Sequence, residues 1–222
     1  TGRGRSTPTT PTTENSFLMT FPIPDFIYLA SQSPRRSQLL DQLGVKHQLL
    51  LPEANEDAES LEVVLRGEAP KTYVRRVSEL KLGAAQQRML RQNLPVAPVL
   101  CADTTVALGR TIFGKPHDAN DAMRMLRALS NRPHRVITAI TLGLGGQCVS
   151  ACSESWVTFA DMTDHEIASY VASGEPIGKA GAYAVQGRAA AHIAHISGSY
   201  SGIMGLPLFE TAQILREIGF TL

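Results

Sequence analysis

From Phe26 onward, short apolar runs of strand character alternate with segments of helical period, and this alternation limits the fold more than anything else in the chain. Phe26-Ile27-Tyr28-Leu29-Ala30 reads as a buried strand, Pro34 to Leu43 as a helix closed by Gly44, and His47–Leu51 as a second strand. Residues 72–91 predict a long helix with Tyr73, Val77, Leu80 and Ala84 on its apolar stripe. Val96 to Leu108 is a β-rich run. After the turn Gly114-Lys115-Pro116, a helix over about 119–129 turns Ala122, Met125, Leu126 and Leu129 toward a core. Val136–Leu144 and Val149–Phe159 predict a hairpin around Gly145-Gly146. Thr163 and Glu166 spell a capping box for a helix ending near Ser173. Tyr183–Ile196 reads as mixed strand and loop, and Leu208–Gly219 as a closing helix. Interleaved elements with a hairpin among them predict an α/β fold with a mixed, twisted sheet and flanking helices.

At 222 residues and 43% hydrophobic, the chain has material for one large domain or two small lobes. Its 21 Lys and Arg against 20 Asp and Glu leave a formal charge of +1, which lacks the basic footprint of a nucleic-acid binder. Any anion chemistry must therefore come from a few well-placed cations. No apolar run approaches the roughly 20 residues of a membrane span, so no membrane partner is expected. Cys101, Cys148 and Cys152 form no CxxC pair and suit a reducing compartment, the cytoplasm. Residues 1–24 are Thr- and Pro-rich without periodicity and read as a disordered extension or a remnant of expression, leaving 25–222 as the domain.

The most informative tetrapeptide is Ser33-Pro34-Arg35-Arg36. Ser33 suits an N-cap and Pro34 the first helical position, which puts Arg35 and Arg36 in the first turn. Cations there cost a few tenths of a kcal/mol, up to about 1, unless an anion arrives. Free backbone N–H groups, a hydroxyl and two guanidinium forks would together hold a phosphate; alternatively, both arginines meet solvent or surface acids. In Cys101-Ala102-Asp103-Thr104-Thr105-Val106 a carboxylate interrupts an apolar strand. It either lines a crevice or caps a turn through its own backbone.

Glu53, Glu56, Asp57 and Glu59 form an acidic loop, either solvated or lending one oxygen to Mg²⁺. Lys115 lies on a stiff turn that aims its ammonium, and Lys81 falls near the apolar stripe of the long helix, where it can snorkel. Small residues between Lys179 and Gly187 would let a ligand approach the backbone or serve tight packing. P-loop, GxGxxG, GxSxG and HExxH motifs are absent. Cys101, buried in its strand without a partner base, is not a nucleophile candidate.

In order along the chain, Leu29-Ala-Ser-Gln-Ser-Pro-Arg-Arg36, Ala102-Asp-Thr-Thr-Val106, Gly114-Lys-Pro116, Lys179-Ala-Gly-Ala-Tyr-Ala-Val-Gln-Gly187 and Gly198-Ser-Tyr-Ser-Gly-Ile-Met-Gly-Leu-Pro207 resemble the Maf family of nucleotide pyrophosphatases. The resemblance implies a Maf/ITPase-like α/β fold in two lobes around a central cleft, commonly a homodimer. It also implies hydrolysis of a nucleoside triphosphate to monophosphate and diphosphate with a divalent cation, Mg²⁺ or Mn²⁺. By that resemblance Asp103 matches the general base, and Asp103 with Glu56 the metal side, Glu53 being the alternative to Glu56. Arg35, Thr104 and Gln186 match the family's specificity positions and Lys81 and Lys115 the lysines of its site; Ser33 and Arg36, from the helix start, complete the expected substrate-binding set. Arg35 with Thr104 and Gln186 resembles the branch acting on dTTP and UTP, and a Gln amide suits a pyrimidine O4/N3 edge because it both donates and accepts. The rival reading is a nucleotide-binding regulator linked to cell division with little catalysis. Two departures from the family pattern stand out: the loop Pro-Glu-Ala-Asn-Glu-Asp lacks the usual Asp-Glu pair, and Leu82 follows Lys81 where Ala is usual.

Overall fold

The structure, a computed structural model, describes residues 24–54, 56–57 and 59–222. The expectation for residues 1–24 therefore lies, but for Pro24, outside the described residues. In chain order the elements are β1 (Ile27–Leu29), α1 (Pro34–Gln42), β2 (His47–Leu49), a 3-10 turn (Glu59–Glu62), α2 (Pro70–Arg91), β3 (Val99–Leu108), β4 (Thr111–Phe113) and α3 (Ala119–Leu129). There follow β5 (Pro133–Leu144), β6 (Gln147–Phe159), α4 (Asp164–Ala172), 3-10 turns at Ala180–Ala182 and Arg188–His192, β7 (Ile193–Ser197), α5 (Tyr200–Met204) and α6 (Leu208–Glu217). The seven strands form one mixed sheet in the order β2-β1-β3-β5-β6-β7, with β4 added to β3. β1 runs parallel to β2 and β3, and the other pairings are antiparallel.

The pairing of β3 positions everything that follows. On one edge β5 covers it from Val99 to Ala107. On the other, β1 pairs only with Val99 and Leu100, and β4 only with Val106 to Leu108. The middle of that edge, Cys101 to Thr105, has no strand beside it, so a cleft opens within the sheet. The chain leaving β1 turns into α1 at this gap, and the chain leaving β4 turns at Gly114-Lys115 beside it.

Alternation along β3 sends its side chains to two cores. Val99 and Cys101 pack with Leu82, Ala85 and Met89 of α2. Leu100 and Ala102 pack with Ile27 and Leu29 of β1, Leu39 and Leu40 of α1, and Ile214 and Leu215 of α6. Asp103 thereby faces α2, whereas Thr104 faces α1. The long helix begins at Pro70, in the first-turn position that proline suits. Its buried stripe is Tyr73, Val74, Val77, Ser78, Leu82, Ala85 and Met89. Leu80, expected in the core, is 43% exposed. The stripe is rotated because Ser78 is taken inside, where its hydroxyl bonds Thr141 at 2.8 Å. The α3 helix and the capping box of α4 match the sequence reading.

Under the sheet's far end, His134 is fully buried among Phe159 and Tyr183, with ring centroids 5.5 Å from each. Its Nε2 lies 2.9 Å from the Tyr183 hydroxyl and its Nδ1 3.2 Å from the Arg132 carbonyl, an acceptor only, so Nδ1 carries a proton. Burial pushes its pKa from 6.5 down to about 4. The unfolded chain therefore takes up this proton first as pH falls. The contribution present above pH 6.5 is lost between about 6.5 and 4, and amounts to roughly 3 kcal/mol. Urea melts at pH 7 and pH 4.5 should show a larger loss for the wild type than for His134→Gln, which has no proton to gain there.

Candidate active site

The gap in β3 opens into a cleft of about 390 Å³, a size suited to a small ligand. Its floor is Ala102 to Val106, and its walls come from Ser31–Arg36, from α2, from the Gly114-Lys115 turn, from Gly178–Gln186 and from Met204-Gly205. Gly181 fastens the fourth wall. Its N–H donates to the Gly114 carbonyl at 3.0 Å, its φ is +67°, and a Cβ there would meet the Val106 side chain at 2.8 Å. At this glycine the small residues of the Lys179–Gly187 stretch serve close packing on the strand.

A chain of charges crosses the cleft. Asp103, with 8% of its side chain exposed, accepts from Lys81 Nζ at 2.6 Å through Oδ1. The same ammonium donates to Glu62 Oε1 at 2.8 Å, and Lys115 Nζ donates to Glu62 Oε2 at 2.9 Å. Asp103 Oδ2 is buried and has no hydrogen-bond partner. Burial pushes the Asp103 carboxyl above the usual carboxylate range, against the pull of Lys81 and Arg36, with Glu62 adding to the rise. Burial works in the same direction on Glu62, but Lys81 and Lys115 outweigh it and hold that carboxyl below its ordinary value.

The helix start behaves differently from its sequence reading. Ser33 occupies the N-cap position of α1, yet its side chain makes no cap hydrogen bond; instead its N–H is held by Ser31 Oγ at 3.2 Å. Ser33 itself remains in the cleft wall. Arg36 is a strut: Nε donates to the Gly205 carbonyl at 2.7 Å, Nη1 to Ser31 Oγ at 3.0 Å and Nη2 to Thr104 Oγ1 at 3.3 Å. Thr104 Oγ1 is in turn 2.9 Å from Thr138 Oγ1. Arg35 points the other way, to Gln186, whose amide, oriented with its oxygen toward the guanidinium, accepts from Arg35 Nη2 at 3.3 Å. Lys179 lines the same wall, its pKa lowered by burial and then by Arg35.

Of the residues singled out from sequence, Ser33, Arg35, Arg36, Lys81, Asp103, Thr104, Lys115 and Gln186 all line this cleft. Glu56 does not. Its carboxylate is clasped by Arg88, a residue only 3% exposed, and by Arg91. These guanidiniums hold it well below the usual carboxylate range, Arg88 first. Glu53, the alternative, accepts from Gln92 Nε2 at 2.7 Å. The carboxylate that reaches Lys81 and Lys115 is Glu62, which sequence reasoning passed over. Tyr73 was also missed as a site residue; the stripe assigned it to the core, yet it lines the cleft beside Glu62.

Apart from Arg88, which Glu56 neutralises, the cleft presents Arg35, Arg36, Lys81, Lys115 and Lys179 against Asp103 and Glu62. A concave surface with such an excess of positive charge, a helix N-terminus in one wall and a buried acid in the floor suits a polyanion. Residues 26–218 match the family described as Maf-like protein, and the chain belongs to the Maf family. A protein of Albidiferax ferrireducens is 67% identical over 196 residues, covering 88% of this chain and 98% of its own. One of Polaromonas sp. is 63% identical (89% and 98%), and one of Ralstonia nicotianae 60% identical (88% and 95%). Each of the three is named dTTP/UTP pyrophosphatase.

The two arginines should separate in a thermal melt. Arg36→Met strips hydrogen bonds from Ser31, Thr104 and the Gly205 carbonyl and should cost about 3 kcal/mol of stability. Arg35→Met should stay within about 1 kcal/mol of wild type.

Proposed function

We propose that this chain hydrolyses dTTP and UTP to the nucleoside monophosphate and diphosphate. The observation that carries the reading is the charge excess of the cleft set around a buried carboxylate with an unused oxygen; the names of the relatives give the substrate class. The bond broken is the anhydride between the α and β phosphates.

The triphosphate docks against the first turn of α1, the Ser33 hydroxyl and the Lys81 and Lys115 ammoniums. The lysines neutralise charge that grows on the departing diphosphate. Asp103 orients the attacking water and takes its proton. Burial in the strand raises its proton affinity, as a general base working near neutral pH requires. Arg36 and Thr104 hold the α1 turn to β3, so the phosphate-binding wall stays in register with the base. Gln186 and Arg35 form the wall that reads the pyrimidine, the amide offering a donor and an acceptor.

A divalent cation, Mg²⁺ or Mn²⁺, fits this donor set. Among the described residues no group of three or more His, Cys, Asp or Glu assembles, so the protein supplies few oxygens and substrate phosphates would supply others, as Mg²⁺ tolerates. Asp103 is the first protein ligand in this reading, its Oδ2 having no other partner. When bound, such an ion withdraws charge from phosphoryl oxygens and binds the polyphosphate in one pose.

The rest of the reading is a single two-lobed domain over 25–222 that works as a homodimer in a reducing cytoplasm. All three cysteines are free, and among the described residues no helix is long and apolar enough to cross a membrane. A nucleotide-binding regulator without catalysis is disfavoured, because binding alone gains nothing from burying Asp103 with an unmatched oxygen.

Asp103→Asn should lower kcat by about a hundredfold or more while the circular dichroism spectrum is kept. Diphosphate release from a panel of dTTP, UTP, GTP and 7-methyl-GTP should rank the two pyrimidines first in the wild type. Gln186→Glu should depress turnover of both pyrimidines; an unaltered ranking and rate would remove Gln186 from substrate choice.

A further inference from the structure

Two threonines follow Asp103, and their hydroxyls have different fates. Thr104 faces α1, where its hydroxyl meets Arg36 and Thr138. Thr105, only 1% exposed, has a hydroxyl with no hydrogen-bond partner. Among the described residues three buried side-chain polar atoms stand alone in this way: Asp103 Oδ2, Thr105 Oγ1 and, away in α6, Glu210 Oε2. A buried hydroxyl without a partner costs stability, and a valine would fill the same place in a strand without that cost. The packing of β3 therefore gives no reason for a threonine here.

The two unpaired oxygens of β3 belong to one face of the sheet. Asp103 and Thr105 lie opposite Ala139 and Ile137 of β5, and both of these pack under Tyr73, Val74 and Val77 of α2. The other polar pair on this face, Ser78 with Thr141, is satisfied internally at 2.8 Å. Same-face residues two apart on a strand are spaced about 6.7 Å at Cα. One water with a hydrogen bond to each side spans about 5.5 Å, so side chains that lean slightly together share it. Both residues line the cleft. Lys81 Nζ stands on the other oxygen of the same carboxylate, at 2.6 Å, and its move to a phosphate makes room for that water.

We propose that Thr105 is the second anchor of the attacking water, working with Asp103. The proposal rests on the reading of Asp103 as general base given above and adds a residue to it. One O–H of the water points to Asp103 Oδ2 and the other to Thr105 Oγ1, which leaves a lone pair directed into the cleft. As that oxygen bonds to the α phosphorus, the first proton passes to Asp103 and the second stays with the oxygen. The electron pair of the α–β bridge leaves with the diphosphate, and Thr105 neither gains nor loses a proton. A single carboxylate lets the water swing about one hydrogen bond; two anchors fix its direction of attack.

Steady-state hydrolysis of dTTP by Thr105→Val and Thr105→Ser, beside Asp103→Asn and with a thermal melt of each, tests the assignment. Thr105→Val should lower kcat about tenfold or more with KM within about threefold of wild type, and should melt at or above the wild-type temperature. Thr105→Ser should bring kcat back to within about threefold of wild type, because the hydroxyl returns. A Thr105→Val kcat within about twofold of wild type overturns the proposal. So does a loss carried by KM alone, a loss that serine does not recover, or a loss accompanied by a lower melting temperature. With Asp103→Asn inactive, those outcomes strike Thr105 only. If Asp103→Asn keeps the wild-type kcat, the base assignment falls and the role of Thr105 falls with it.

Discussion

The ion pair between Asp103 and Lys81 is the interaction on which the rest of the structure depends. A carboxylate in mid-strand, facing a core helix, costs several kcal/mol unless something compensates it. Here the compensation is a lysine from α2 at 2.6 Å, and the strand edge is left open so that a ligand can reach the same point. The short β1 and the short β4 are therefore functional dimensions of the sheet. If either continued along β3, the gap would close and Asp103 would be sealed inside.

The two arginines of Ser33-Pro34-Arg35-Arg36 divide the labour that a local reading assigns to both. One guanidinium is consumed in joining three segments, the β1–α1 turn, β3 and the turn after α5. The other faces a carboxamide across the cleft. Alternation of direction along the first helical turn explains the split: consecutive residues cannot face the same wall. The planar, multi-donor guanidinium suits the strut, since a single ammonium could not serve three acceptors that lie in different directions.

What the sequence made legible was whatever local chemistry could not explain by itself. An acid inside an apolar strand and paired cations at a helix start are locally unfavourable, and both mark the cleft. The α3 helix and the α4 capping box were readable because periodicity and cap agree. Glu62 was not readable, for it lies near other acids in a segment that looks like solvated loop, and only the fold brings it to lysines 19 and 53 positions away. Glu56 lies outside the cleft lining for a reason local reading does not reach: its partner is a buried arginine of α2, Arg88, 32 positions away. The shift of the α2 stripe past Leu80 has the same origin, since Ser78 is drawn inside by Thr141, a partner 63 residues distant.

The central claim, that polyphosphate displaces Lys81 and Lys115 from the acidic pair while water waits at Asp103, is tested most directly by a crystal structure with α,β-methylene dTTP and Mn²⁺. The account predicts both ammoniums on the β and γ phosphates, the α phosphorus beside Asp103, and thymine against Gln186. A nucleotide bound with its phosphates away from Lys81 and Asp103, or with both lysines still on Glu62, would contradict it.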